Sequence, residues 1–325
     1  MTSVVLPIFN ERESLTILHE ELSRAFQGKS VEFIFVDDGS GDRSIEVIRE
    51  LAARDPRVKA LRFRRNFGKA AALSAGFAEA KGELVMTLDA DLQDDPSEID
   101  RFLTAIDGGL DVVSGWKKTR HDPWHKVGPS RIFNWTVSRL TGCKLHDHNC
   151  GFKAYRREVV QEVEIYGELH RFIPALAFAR GYRVGELEVN HRARKFGKSK
   201  YGVSRLVKGF LDLLTVRFLT RFGQRPLHVL GSIGLMMLLI GGLGMVWLAL
   251  TWLRQQIGTP APLREPIGNR PLLVYSATLL GVGTQMLTLG VLAELITAYN
   301  LRPRDTYSVA ERIDPPATQE SPDVV

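Results

Sequence analysis

The chain has 325 residues, 44% apolar and 25% charged, with a formal net charge of +6. That length holds one large domain or two ordinary ones with a full core, and the composition excludes wholesale disorder, a collagen-like fibre and a polytopic transporter. Two cysteines, Cys143 and Cys150, are too few for a disulfide scaffold or a four-cysteine zinc site and fit a reduced, cytosolic setting.

In chain order, five short apolar runs read as buried strands. They are VVLPIF after Ser3, Val31–Val36, Val58–Phe63, Leu84–Leu88 and Asp111–Ser114. Helical spacing lies between them: Leu15, Leu18, Leu22 and Phe26, then Ile45, Ile48 and Leu51, then Leu73 and Phe77. Alternating strands and helices predict an α/β domain with a mostly parallel sheet covered on both faces. Ligands bind such sheets at the carboxyl ends of the strands, so the residues just after each strand carry the most weight. With a strand-like SVVLPIF almost directly after Met1, no signal peptide is expected.

Those residues are acidic. Asp37-Asp38-Gly39-Ser40 follows the second strand, and Asp89-Ala90-Asp91-Leu92-Gln93-Asp94-Asp95-Pro96 follows the fourth. An Asp-x-Asp by itself reads as a loop or a helix cap, and Asp94 and Asp95 before Pro96 are expected to cap the next helix. On extended backbone, however, Asp89 and Asp91 would point the same way, and two ionised carboxylates there call for a cation or water. Hard oxygen donors suit Mg²⁺ or Mn²⁺, and such an ion suits a diphosphate. Neither G-x-G-x-x-G nor a Walker sequence is present. His121, His125, His146 and His148 lack metal-ligand spacing and read as polar loop residues. Trp116, Trp124 and Trp135 either pack the core or stack on a sugar.

The basic residues form a band. From Lys195 to Arg225 there are eight Lys/Arg and one acid, Asp212, which points to phosphates. Within it Val203, Leu206, Val207, Phe210, Leu211, Leu214, Phe218 and Phe222 recur at helical spacing, opposite Arg205, Lys208, Arg217 and Arg221. This is the pattern of an amphipathic helix at a membrane surface. Leu227–Leu253 then runs 27 residues without Lys, Arg, Asp or Glu, and Leu272–Tyr299 runs 28, broken mainly by Gln285 and Glu294. About 20 apolar residues cross a bilayer as a helix, so two spans are expected. Glu294 is costly in lipid and is expected to face another helix or the interface. Arg217, Arg221 and Arg225 before the first span, and Arg302, Arg304 and Arg312 after the second, favour both termini on the cytoplasmic side. Nucleic-acid binding would leave the spans unexplained. The Pro-rich polar tail from Asp314 is expected to be disordered.

Together SVVLPIFNE, VDDGS (36–40), NFGK (66–69), TLDADLQDDP (87–96), Asp147 with CGFKAYR (150–156), HRFIP (170–174) and RKFGKSKYG (194–202) resemble a family-2 glycosyltransferase of GT-A fold. More narrowly, the chain resembles the polyprenyl-phosphate glycosyltransferases, the group containing dolichol-phosphate mannose synthase and the bacterial undecaprenyl-phosphate enzymes. The resemblance extends to about Arg304 and implies a metal-dependent hexosyltransferase. It implies that Pro7, Asn10, Glu11, Asp38, Lys69, Asp89, Ala90, Asp91, Gln93, Arg194, Lys198, Ser199 and Lys200 bind the nucleotide sugar. Asp89, Asp91 and Gln93 would hold the Mg²⁺ or Mn²⁺. Lys117 and Arg131 would meet the lipid phosphate, and Asp147, Asp91 and Lys153 would carry catalysis. Relatives often have Arg where Lys153 stands, which weakens a bidentate phosphate contact there.

The expected organisation is a cytoplasmic GT-A domain over 1–202, interfacial amphipathic helices over 203–225, two transmembrane helices over 226–300 and a cytoplasmic tail over 301–325. The expected function is inverting transfer from a UDP- or GDP-sugar to a polyprenyl phosphate at the inner membrane, with a homo-oligomer left open. The alternatives are a membrane glycosyltransferase with a saccharide acceptor and a non-catalytic sugar-nucleotide-binding scaffold. Processive synthases usually carry Q-x-x-R-W and more spans, and neither occurs here.

Overall fold

A computed structural model describes residues 1–118, 124–192, 212–213, 215–216, 225–258, 260 and 266–300. The expected interfacial helix over 203–225 and the tail over 301–325 therefore lie almost wholly outside the described residues. The chain divides into two compact units. One contains Met1–His121 and Asn149–Gly197, and the other contains Asp122–His148 and Lys198–Leu301. The segment 122–148, expected inside the first domain, thus groups with the membrane-span unit.

The first unit is built on seven strands: β1 (Thr2–Ile8), β2 (Val31–Asp37), β3 (Val58–Arg62), β4 (Leu84–Thr87), β5 (Val112–Trp116), β6 (Lys153–Arg156) and β7 (Val184–Glu188). Their order across the sheet is β3-β2-β1-β4-β6-β5-β7. The five strands anticipated from sequence are all present within a residue or two, while β6 and β7 were not anticipated. Every neighbouring pair is parallel except those made by β6, which runs antiparallel to both β4 and β5. β2 is buried along its whole length, as VEFIFVD suits a strand covered on both faces.

Helices cover both faces. On one side α1 (Leu15–Ala25), α2 (Ser44–Arg54) and α4 (Ile99–Asp107) bring Leu18, Ile48 and Phe102 into a core with Phe33, Met86 and Phe152. Phe102 and Phe152 stack with ring centroids 4.2 Å apart. On the other side α3 (Lys69–Glu79), α6 (Arg157–Glu162) and α7 (Ile173–Ala179) pack Leu73, Val159 and Ile173 against Val5, Ile34 and Tyr155. α3 lies close on β1 because Gly76 has no side chain: a Cβ there would sit 2.3 Å from Val5 Cγ1.

In the second unit α5 (Trp124–Thr141) precedes two long helices, Pro226–Gly258 and Pro271–Asn300. Both long helices have the length and apolar composition to cross a membrane. They meet through small residues. A Cβ on Gly234 would lie 2.7 Å from Gly283 O, and one on Gly241 would lie 2.8 Å from Ser276 O. Small residues let helix backbones approach closely where lipid supplies no hydrophobic driving force between helices. Leu235, Leu239, Leu243 and Trp247 remain exposed at helical spacing, a surface that suits hydrocarbon. Glu294 meets its expectation of facing another helix. Its Oε2 accepts the Leu227 backbone N–H at 3.1 Å, one of the donors left open at the start of the first span.

At the edge of the sheet unit Asp55 accepts from Arg57 Nη2 at 2.7 Å and from the His19 ring at 2.9 Å. Arg57 above all holds the Asp55 carboxyl well below the usual range, against a cost of burial. A lowered folded-state pKa stabilises the fold above the ordinary carboxylate value near 4, and that contribution fades as pH falls below it. Asp55→Asn should therefore lower stability at pH 7 by about 1–2 kcal/mol, the scale of charge-assisted hydrogen bonds to a partly exposed arginine. Thermal melts at pH 7 and pH 3 check this, because the gap between variant and wild type should shrink at pH 3.

Candidate active site

The order β3-β2-β1-β4 places the topological switch between β1 and β4, where loops diverge and leave a crevice at the strands' carboxyl ends. The loops there are laced together. Asn10 N–H donates to Ser40 Oγ at 2.9 Å, and Gly41 N–H donates back to Asn10 Oδ1 at 2.9 Å. Glu11 N–H donates to Ser44 Oγ at 3.2 Å. Pro7 ends this path at the half-buried close of β1, in register with Val36.

Asp38 spends its carboxylate on the neighbouring loop. Its oxygens accept the backbone N–H groups of Phe67 at 2.6 Å and Gly68 at 2.9 Å. Gly39 makes the approach possible, with φ +69° and a virtual Cβ only 2.5 Å from the Arg65 carbonyl carbon. This contact sets the start of α3, and from its first residue the Lys69 ammonium pairs with Asp89.

The acidic segment after β4 is a turn. β4 ends at Thr87, and Ala90 and Asp91 are turn residues, so strand alternation does not align Asp89 with Asp91 as the sequence reading supposed. Leu92 reverses the chain at φ +61°, a left-handed conformation unusual for a branched residue, and its fully buried side chain anchors it in the core. Gln93 N–H then donates to Asp91 Oδ1 at 3.1 Å. Asp89 remains ionised: burial works against its charge, but Lys69 and then Lys117 hold its pKa down to about 2. Ala90 is buried beneath the turn.

Asp94 and Asp95 have separate tasks. Asp95 caps the short 3₁₀ turn Pro96–Glu98 through Ser97 N–H at 3.0 Å, as expected. Asp94 instead forms a buried ion pair with Lys117, Nζ to Oδ1 at 2.8 Å. Burial pulls the Lys117 pKa down, but Asp94 and, further off, Asp89 outweigh it and raise it above the ordinary lysine value.

The other wall comes from the chain entering β6. Lys153, the first residue of β6, is buried and donates to Cys150 O. It lies in register with Thr87 of β4 and Ser114 of β5. Thr87 Oγ1 donates to Gly151 O at 2.8 Å. His170 is buried nearby in charge space, and burial, followed by Lys69, Arg171 and Lys153, pushes its imidazole well below its usual pKa, so it is neutral. After β7, Arg192 N–H donates to Gln93 O at 2.9 Å, and its guanidinium joins Glu21 and Asp95, each at 2.7 Å.

The expected site residues thus fall into three groups. Pro7, Asn10, Glu11, Asp38, Lys69, Asp89, Ala90, Asp91, Gln93, Lys117 and Lys153 are all in the sheet unit, at or beside one edge of it. Asp147 and Arg131 belong to the second unit. Asp147 is fully buried in the loop after α5, which is held by Asn134 Nδ2 to His146 O at 2.9 Å and Ser138 Oγ to Leu145 O at 2.9 Å, and Arg131 is exposed on α5. Arg194, Lys198, Ser199 and Lys200 lie outside the described residues. Sequence reasoning missed the roles of Asp94, Gly151, His170 and Arg192. His170 and Gly151 stood inside quoted motifs, whereas nothing in the linear pattern pairs Asp94 with Lys117.

An acidic turn held by lysines thus lies at the switch point of a mostly parallel sheet, on a chain with two helices long and apolar enough to cross a membrane. The model of the glycosyl transferase family 2 matches residues 3–164. The chain is 40% identical over 301 residues to the dodecaprenyl-phosphate galacturonate synthase of Rhizobium johnstonii, covering 90% of this chain and 87% of that one. It is 38% identical over 312 residues to the undecaprenyl-phosphate 4-deoxy-4-formamido-L-arabinose transferase of Edwardsiella ictaluri, covering 94% and 92%. The chain belongs to glycosyl transferase family 2. The fold is also that of glucosyl-3-phosphoglycerate synthase from Mycobacterium tuberculosis, solved with Mn²⁺, uridine diphosphate and phosphoglyceric acid. That likeness has a TM-score of 0.54 at 18% identity, over 68% of this chain and 78% of that one.

The Lys117–Asp94 pair carries a prediction. Removing one partner leaves the other charge buried, so Lys117→Met or Asp94→Asn alone should cost about 3–5 kcal/mol. The double variant should cost clearly less than the two together, read from thermal unfolding of the purified protein. A lysine engaged only with an acceptor would leave stability unchanged.

Proposed function

We propose that the protein transfers a sugar, with inversion, from a UDP- or GDP-sugar to a polyprenyl phosphate at the inner membrane, for modification of envelope glycan or glycolipid. The observation that carries this reading is the acidic turn after β4, with Asp89 ionised beside Lys69 at the switch-point crevice. The activities of the two relatives, both polyprenyl-phosphate sugar transferases, and the two membrane-length helices support it.

The chemistry needs a stabilised leaving group and a held acceptor. A phosphate oxygen of the lipid attacks the anomeric carbon, and the bond from that carbon to the nucleoside diphosphate breaks with its electron pair. Asn10, Glu11 and the Asp38-pinned loop form the nucleotide end of the crevice. Lys69, paired with Asp89, and Lys153 would supply positive charge near the leaving diphosphate. Arg194, Lys198, Ser199 and Lys200 would close over the phosphates, and Arg192 supports this because it ties the chain two residues upstream to the acidic turn. Among the described residues no group of three or more His, Cys, Asp or Glu side chains closes around a metal. Asp89, Asp91 and the Gln93 amide oxygen are hard oxygen donors that would hold Mg²⁺ or Mn²⁺ at an open site. When bound there, such an ion supplies Lewis-acid neutralisation of the diphosphate.

Arg131, exposed on α5, is our candidate for the lipid phosphate, since the charge of Lys117 is committed to Asp94. A phosphate monoester with its second pKa near about 6 is largely dianionic at neutral pH and needs no base. Asp147 therefore positions the acceptor. The arginine-rich flanks support a cytoplasmic catalytic unit with both termini on the cytoplasmic side.

Incubation of the purified protein with undecaprenyl phosphate and a panel of UDP- and GDP-sugars tests the reading. Lipid-linked sugar should form only with divalent cation present, and Asp91→Asn should lower the rate about 10²–10³-fold. Transfer to a saccharide in preference to the lipid, or full activity in excess chelator, would overturn it. Asp147→Asn should keep the wild-type pH profile from about pH 6 to 9 at a lower level. Recovery of that variant at high pH would instead mark Asp147 as a base.

A further inference from the structure

We propose that Gly151 is a positioning residue: its missing side chain is the seat that sets the Asp89 carboxylate, and through it the metal and diphosphate pole of the site. This rests on the function proposed above and adds a residue to it.

A Cβ built on Gly151 would fall 2.4 Å from Asp89 Oδ2, 2.6 Å from Cγ and 2.8 Å from Oδ1. All three of its nearest atoms belong to one carboxylate. Gly151 is not among the positive-φ glycines, so backbone conformation does not demand glycine here; the space does.

The backbone around Gly151 has little freedom to withdraw. Its carbonyl accepts Thr87 Oγ1 at 2.8 Å, the preceding carbonyl of Cys150 accepts Lys153 Nζ, and the following carbonyl of Phe152 accepts Gly115 N–H at 2.9 Å. Thr87 lies two residues before Asp89 and pairs with Lys153 in the β4–β6 register. Both partners in the contact therefore hang from the same pair of strands. An added methyl group must displace the carboxylate rather than the main chain. A carboxylate at the end of a side chain rotates at small cost to the fold, but rotation takes it off Lys69.

The contrast with Gly76 separates this role from packing. A Cβ there meets Val5 Cγ1 in the core at 2.3 Å, so Gly76→Ala should cost stability and leave the site alone.

The test is Mn²⁺ binding in the presence of UDP, and separately GDP, followed by electron paramagnetic resonance of the free ion, with thermal melts of the same samples. Gly151→Ala should weaken Mn²⁺ binding about 10–100-fold, the usual effect of removing a support of a metal ligand, with little change in melting temperature. Gly76→Ala should do the reverse. If Gly151→Ala does lower the melting temperature, the same substitution in an Asp89→Ala background should lower it far less, because the clash is gone. Wild-type binding with undiminished affinity in Gly151→Ala would overturn the proposal alone, as would a melting loss that persists without Asp89. Absence of Mn²⁺ binding by the wild type with either nucleotide would overturn the functional reading and this proposal together.

Discussion

A parallel sheet delivers only the ends of its strands to the edge where ligands bind, whereas β6, running the other way between β4 and β5, delivers a beginning. Its antiparallel hydrogen bonding sets Lys153 opposite Thr87 and Ser114. The Cys150-Gly151 segment is thereby pressed against the chain that leaves β4. The acidic turn consequently has a wall with no side chain at Gly151 and a buried ammonium at Lys153. Were β6 parallel, that segment would open at the far edge and Asp89 would lie against nothing. The geometry of the site depends on this one reversal.

Charge balance follows from it. Asp89 and Asp94 stand five residues apart on one turn, and leaving both ionised under partial burial is costly. Lys69 reaches Asp89 from the start of α3, and Lys117 reaches Asp94 from just beyond β5. Each lysine is fixed by a different backbone contact. Asp38 pins the loop before Lys69 through two N–H groups, and the β5–β6 pairing places the strand before Lys117. The result is a crevice in which Asp89 keeps its charge at neutral pH. That is the condition for holding a cation and a diphosphate together.

The second unit answers a different solvent. Its two long helices are apolar on nearly every face and meet through Gly234, Gly241, Ser276 and Gly283, where close backbone approach replaces hydrophobic burial. Glu294 is tolerated in such a helix because its carboxylate satisfies the Leu227 N–H. An acceptor with a long apolar chain and a charged head is suited to an enzyme whose chain carries such a unit as well as a sheet unit.

Much of this was legible in the linear chain. Apolar runs and their spacing define β1 to β5 and the first three helices, because burial on a pleated or helical surface writes its period directly into the residue order. The spans were legible for the same reason, since hydrocarbon thickness demands an uninterrupted length. The acidic motif and the family were legible from residue types in sequence order. Tertiary structure alone decided the rest. β6 is four residues long and begins with lysine, so no period marks it as a strand; only the vacant hydrogen-bonding edges of β4 and β5 do. The roles of Gly151, Asp94 and Lys117 arise from contacts across 23 positions (Asp94 to Lys117) and 62 positions (Asp89 to Gly151), and a residue's type carries no record of which distant group will stand beside it.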